Sequence, residues 1–247
     1  MMQISQENLV YARLLGRLEL ENQWGVASDE LSKHTLAGML LKYLLVEPKG
    51  EVSLDELLTG GVWPAGQTDE SIIRVRLVRL RKSLEPLHLG GRNGLVLYSG
   101  GRYSLNPQYV MKTDVGELMA LMKCIKGCPI HDPAGLQLCH KALELFRGPF
   151  MEGTEDATWI APYRKYYHKQ FAVLAENTLE RMQALNDDQA LEDLCCRTAE
   201  ILPEEEKLHR NIIHHLMKQR RAQEVTRHIT QLDRSGRADW INNRIGT

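Results

Sequence analysis

The sequence predicts a mainly α protein with small β elements: an α+β module first, then an all-α module of repeated helix pairs. Three observations carry this. Between Leu9 and Leu105 the patterning runs hairpin, three short helices, hairpin. From Asp114 onward nearly every stretch has helical spacing between Gly and Pro breaks. Within that second part, apolar positions recur about 34 residues apart.

Leu9 to Trp24 alternates loosely through Val10, Ala12, Leu14, Leu18 and Leu20 around Gly16-Arg17, which reads as two short strands. Leu36, Met39, Leu40 and Leu44 have helical spacing over Leu36–Val46, and Pro48-Lys49-Gly50 ends that helix. Val52 has room for a brief strand contact. Ser53-Leu54-Asp55-Glu56 is a capping box: the Ser53 hydroxyl accepts from the Glu56 amide and the Glu56 carboxylate reaches back. The helix it opens stops before Gly60-Gly61, and Trp63-Pro64-Ala65-Gly66 is a loop. A third helix starts near Thr68-Asp69, carries the stripe Ile73, Leu77, Leu80 and Leu84, and is closed by Pro86. Leu95–Tyr98, Ser99-Gly100-Gly101-Arg102 and Tyr103–Leu105 read as strand, turn and strand. Asn106-Pro107 punctuates the end, giving an expected division into residues 1–107 and 108–247.

In the second part, breaks are expected at Gly127-Cys128-Pro129, Arg147-Gly148-Pro149, Asn186-Asp187-Asp188, Pro203 and Ser235-Gly236. Leu179, Met182, Leu191 and Cys195 are matched by Ile213, Leu216, Val225 and Ile229, and Pro203 sits where a tetratricopeptide repeat closes. Such pairs stack into a curved surface that holds a protein or peptide. Two unrelated antiparallel helix pairs of similar length would also coincide at some positions.

The chain has 247 residues, 43% hydrophobic and 26% charged, enough for two globular domains. Met1–Tyr11 lacks a secretory pattern, and Leu36–Val46, interrupted by Lys42, is too short to span a bilayer. Five cysteines without framework spacing suit reduced thiols, so a cytoplasmic location is expected. The net charge of −1, balanced also within residues 1–107, neither supports nor excludes nucleic acid.

The local charge is more telling, because Arg74, Arg76, Arg79, Arg81 and Lys82 crowd one predicted helix. With Ile73 at the centre of the buried stripe, Ser71, Arg74, Val75, Val78, Arg79, Arg81 and Lys82 fall on the remaining face and Arg76 near the core edge. A helix in the major groove can use valines against thymine methyls and arginines on guanine or phosphate. The bland alternative packs Val75 and Val78 on a neighbouring helix and leaves the arginines solvated. Short helix, capped helix, basic helix and Gly-rich hairpin together outline a winged helix, with Arg102 at the hairpin tip a further phosphate or minor-groove contact.

Other chemistry finds little support. Cys124, Cys128 and His131, with Cys139 or His140, are spaced loosely like metal ligands, but Gly127 and Pro129 break the helix that would align them. His209, His214 and His215 do not form a helical ligand pair, and Cys195-Cys196 would close a strained bridge. Phosphate loops, HExxH and GxSxG patterns are missing, and Glu204-Glu205 at a helix start suits the helix dipole. No enzyme activity, cofactor or metal is expected.

Leu40–Leu57 with Val62-Trp63-Pro64, Arg79-Leu80-Arg81-Lys82-Ser83-Leu84 and Ser99-Gly100-Gly101-Arg102-Tyr103-Ser104-Leu105 resemble the OmpR-type winged helix, its recognition helix and its wing. The wing departs from the family at Ser99, often Arg, and at Arg102, often Gly. Phe146-Arg147-Gly148-Pro149-Phe150, Trp159 with Pro162-Tyr163-Arg164, Pro203-Glu204-Glu205-Glu206 and Arg220–Val225 resemble the bacterial transcriptional activator domain. That domain follows such a winged helix in the antibiotic-regulatory, SARP-type activators. The resemblance spans roughly residues 9–232. It implies a transcription regulator that binds double-stranded promoter DNA, commonly direct repeats, and acts with RNA polymerase. Because one winged helix reads few base pairs, at least a dimer is expected on DNA. No receiver domain with a phospho-acceptor aspartate precedes the winged helix, and Ser235–Thr247 does not match the family's final segment, so the last repeat is expected to be truncated or completed by another chain. The competing reading is a protein-interaction adaptor whose winged helix no longer binds DNA.

Overall fold

The computed structural model describes residues 8–28, 31, 35–47, 49–63, 70–154, 158–236 and 240, with only the course of the chain for 70–74. The expected cap at Thr68-Asp69, the side chains of Ser71, Ile73 and Arg74, and the segment 241–247 lie outside the described residues. The chain divides into two compact units, residues 1–117 with 147–164 and residues 118–146 with 165–247. The sequence placed a single cut after Pro107; compactness instead groups 108–117 and 147–164 with the first unit. Among the described residues no helix is long and apolar enough to cross a membrane.

In the first unit, β1 (Leu9–Arg13) and β2 (Glu19–Asn22) are the two strands expected around Gly16. Val10 and Ala12 point into the core while their neighbours stay half-exposed, the period of a one-sided strand. Two strands escaped the sequence: β3 (Gly25–Ala27), antiparallel to β2, and a later strand at Val110–Thr113, which runs parallel to β1. They complete a four-stranded sheet.

Three helices follow. Helix α1 (Leu36–Val46) is capped by the Thr35 hydroxyl, which accepts from the Gly38 amide at 3.1 Å. After β4 (Glu51–Ser53), α2 (Leu54–Thr59) opens on the expected capping box: Ser53 Oγ accepts from the Glu56 amide at 3.2 Å and Glu56 Oε2 from the Ser53 amide at 2.7 Å. Helix α3 (Glu70–Ser83) ends ahead of Pro86, which sits in a short 3-10 turn, Glu85–Leu87. The hairpin β5 (Val96–Ser99) and β6 (Arg102–Leu105) joins β4 in a three-stranded sheet, ordered β4-β6-β5. Both turn residues, Gly100 and Gly101, have positive φ (58° and 77°), the geometry of a tight hairpin that matches strand twist and that glycine adopts without strain. The strand at Val110–Thr113 is β7. Trp63 ties the module together: its indole N–H donates to the Leu36 carbonyl at 3.0 Å and its ring meets Tyr103 edge-on.

Residues 147–152 dock on the end of β1. The Arg147 amide donates to Leu15 O (3.0 Å), Gly16 N to Pro149 O (3.1 Å) and Met151 N to Leu14 O (2.8 Å). Buried Asp114 accepts from the amides of Leu14, Leu15 and Val115, each at 2.8 Å. Burial pushes its carboxyl pKa up while these amides pull it down.

The second unit is helical: the later turns of α4 (Asp114–Gly127), α5 (Pro133–Glu144), most of α6 (Ala161–Leu185), α7 (Leu191–Ile201), α8 (Glu206–Lys218) and α9 (Ala222–Ser235). The expected breaks fall at the ends of helices or between them, the last at the end of α9. The 34-residue correspondence places Leu179 and Met182 on α6 against Ile213 and Leu216 on α8, and Leu191 and Cys195 on α7 against Val225 and Ile229 on α9. The first set is buried; of the second, Leu216 is buried and Ile229 is 36% exposed. Arg181 is buried and serves as an internal brace. Its guanidinium donates to the carbonyls of Ile125, Cys128 and Pro129 just at and past the end of α4, and to Asn177 Oδ1. A cation at carbonyls that lack helical partners is favourable in charge as well as in hydrogen bonding.

The aromatic residues around Gly148-Pro149 are divided between the units. Phe146 packs on Phe171 in the second (ring centroids 4.4 Å apart), whereas Phe150 stacks on Tyr163 in the first. Trp159 lies edge-on to Tyr43 (5.3 Å) and Tyr163 (6.4 Å) and is half-buried rather than enclosed.

Candidate nucleic-acid interface

Helix α3 has two faces of opposite character. Leu77, Leu80 and, just past its end, Leu84 are buried. Val75, Val78, Arg79 and Lys82, spaced i, i+3, i+4, i+7, line the opposite face and are all exposed, the two valines by 53% and 62%. The alternative in which Val75 and Val78 pack on a neighbouring helix therefore does not hold within the described residues. Exposed β-branched residues between two cations have no stabilising use in water, since burying each would gain about 1.5–3 kcal/mol. Neither Arg79 nor Lys82 forms an ion pair among the described residues. On the backbone, Ser71 occupies the same stripe one turn before Val75.

Two other cations of α3 are engaged away from this surface, Arg81 against expectation and Arg76 in line with it. Arg81 is half-buried, and its Nη2 donates to the Val96 carbonyl of β5 at 3.1 Å. Burial, with Arg92 nearby, lowers its pKa from the ordinary arginine value. It joins α3 to the hairpin, a role that sequence signals: Arg81 follows Leu77 by four residues and so sits at the edge of the apolar stripe. Arg76 is half-buried beside Thr35 and Gly38 at the start of α1, the core-edge place expected for it.

Arg102 stands at the base of the hairpin turn, opposite Ser99 and Ser53 in the two strand registers. Its guanidinium lies 3.3 Å from Glu51 and 3.1 Å from Glu56, so in the free protein its charge is already matched. These partners are about half exposed, and such pairs contribute only about 0.2–1 kcal/mol. A phosphate can therefore redirect Arg102 at small cost. Tyr98, 41% exposed and packed on Tyr103, completes the outer face of the hairpin. Sequence reasoning missed it, because strand alternation alone does not tell which face is outward.

The cysteine and histidine candidates do not converge. Cys124 and His131 are exposed, Cys128 is half-buried and Cys139 buried, where desolvation raises its thiol pKa. Among the described residues no three His, Cys, Asp or Glu side chains gather as a cation site would need. His209 is buried between α8 and α9: its Nε2 faces the Leu202 carbonyl at 2.8 Å and its Nδ1 faces His228 Nε2 at 3.0 Å. With the His209 proton on Nε2, where the carbonyl accepts it, His228 Nε2–H donates to His209 Nδ1. Burial lowers both pKa values, that of His228 to about 4.

No curated protein matches the chain. Residues 132–231, from the cap of α5 into α9, match the family model described as bacterial transcriptional activator domain, which supports a role in regulating transcription.

Proposed function

We propose that this protein is a sequence-specific DNA-binding transcription regulator of the SARP-like kind, its first unit serving as an OmpR-type winged helix. Helix α3 enters the major groove. Its 14 residues span about 21 Å. Val75 and Val78 meet base edges, Arg79 and Lys82 reach phosphate or guanine, and Ser71 and Arg74 belong to the same surface. Arg102 contacts the backbone from the wing after releasing Glu51 and Glu56. Arg81 supports α3 from behind rather than touching DNA. The observation that carries this reading is the exposed Val75-Val78-Arg79-Lys82 stripe, opposite a buried leucine stripe on one helix. Two protomers bind adjacent half-sites, with residues 108–247 supplying or regulating their contact and a further contact to RNA polymerase. One winged helix reads too few base pairs to discriminate among genomic sites.

The adaptor alternative draws on one observation, the neutralisation of Arg102 by Glu51 and Glu56. Mobility shift with random-sequence duplex at about 50 and 200 mM salt separates the two readings. Phosphate-mediated binding weakens steeply over that range. Absence of any shift at the lower salt rules the DNA reading out.

A further inference from the structure

A groove runs between α4 and α6 in the second unit. It encloses about 410 Å³. Met119, Met122, Val173 and Leu174 give it an apolar lining, and Lys123 and Lys126 stand on the α4 side. The apolar surface continues out of the groove, since Met119, Val173 and Tyr166 are exposed by 41%, 46% and 44%. The two walls are held in place: Arg181 on α6 grips the carbonyls that end α4, while Ile125 and Phe171 are buried beneath. The groove is thus formed before anything binds, which spares a partner the ordering cost.

The dimensions favour a helix. Met119–Lys126 and Gln170–Asn177 each run two helical turns, about 10 Å, so an occupying helix presents side chains at i, i+3 or i+4, and i+7. Methionines on the wall adapt to such knobs. The charge is one-sided. No carboxylate lines the groove, both lysines are exposed, and neither has an ion-pair partner among the described residues.

We infer that the α4–α6 groove docks an amphipathic helix of a partner protein, one with apolar side chains toward Met119, Met122, Val173 and Leu174 and Asp or Glu along the flank facing Lys123 and Lys126. This interaction is independent of the DNA surface on α3.

The test uses the full chain and a dye-labelled synthetic amphipathic helix of about 18 residues, long enough to hold helical structure. It carries Leu at the three anchor positions and Glu along one flank; a companion peptide carries Lys in place of Glu. Fluorescence anisotropy is expected to show the Glu peptide binding about tenfold or more tightly than the Lys peptide, with the difference shrinking as salt rises. The double variant Lys123→Glu/Lys126→Glu, its fold checked by circular dichroism, should reverse the preference, and Val173→Asp should weaken both peptides. Equal affinity for the two peptides, insensitivity to the charge reversal, or no binding up to about 1 mM protein overturns the inference. Self-association abolished by Val173→Asp, without peptide binding, overturns it too and assigns the groove to a second copy.

Discussion

Replacing Arg181 by Met keeps a long apolar stem in place and removes the buried guanidinium. Four bonds disappear: Nε to Asn177 Oδ1 (2.8 Å), Nη1 to Pro129 O (2.6 Å), and Nη2 to Ile125 O (3.1 Å) and Cys128 O (2.9 Å). Bonds from a charged donor are worth about 1.5–3 kcal/mol each, which alone suggests a loss above about 6 kcal/mol. Two effects reduce it. The substitution relieves several kcal/mol of guanidinium desolvation, and the carbonyls near half-buried Cys128 and exposed Pro129 can take water instead. The carbonyl of Ile125, a 5% exposed residue, keeps the Cys128 amide at 3.1 Å but loses its charged donor. The expected net cost is about 2–4 kcal/mol, read by urea unfolding of the full chain. Amide exchange should quicken first over residues 125–128, where α4 loses its terminal support. A cost below about 1 kcal/mol with unchanged exchange would refute the view of Arg181 as the brace of this unit.

Three further outcomes follow from the same geometry. The His209–His228 pair makes the second unit acid-labile: both folded pKa values lie below the ordinary value of 6.5, so the neutral-form stability is complete above that pH and declines as pH falls toward 4. For His228, whose pKa drops to about 4, the loss reaches up to about 3 kcal/mol, and a stability profile flat from pH 7 to 4.5 would contradict it. Gly16 has φ of +120° and an added Cβ would lie 3.2 Å from Arg147 Cβ, so Gly16→Ala should cost about 1–3 kcal/mol in thermal unfolding; a neutral effect would mean that 147–152 does not dock there. Trp159→Ala should cost about 1.5–3 kcal/mol, below the figure for a fully enclosed indole; a loss near 5 kcal/mol would show the ring better buried than its half-exposed place implies.

Much of the fold was legible because its signals are local. The Ser53–Glu56 capping box, the leucine steps of α3, the stop at Pro86 and the Gly100-Gly101 turn each lie within a few residues. The 34-residue repeat was legible because stacked helix pairs reuse one apolar pattern. What stayed hidden was non-local. The pairing of Val110–Thr113 with β1 joins residues 101 apart in sequence, such as Leu9 and Val110, and β3 is only three residues long. The Asp114 carboxylate and the backbone of Arg147–Glu152 bind main-chain groups at the end of β1, which leave no side-chain pattern there. On α3, the helical wheel identified the valines and Arg79 but spread the outer face too widely, so Arg81 fell on it although Val96 claims its guanidinium. The pairing of Arg102 with Glu51 and Glu56 follows from the β4–β6 register, which no single segment reveals. The partnership of His209 with His228 likewise needs α8 and α9 side by side.

The salt dependence of DNA affinity in variants of α3 bears most directly on the DNA-binding reading. Log Kd plotted against log salt should be steep for the wild type. For Arg79→Ala/Lys82→Ala the slope should fall by about two, one for each lost phosphate contact. Arg81→Ala should keep the wild-type slope and instead lower stability by about 1–2 kcal/mol, because its bond is to Val96. Equal slopes for the wild type and the Arg79/Lys82 double variant, both correctly folded, would contradict the placing of DNA against this face.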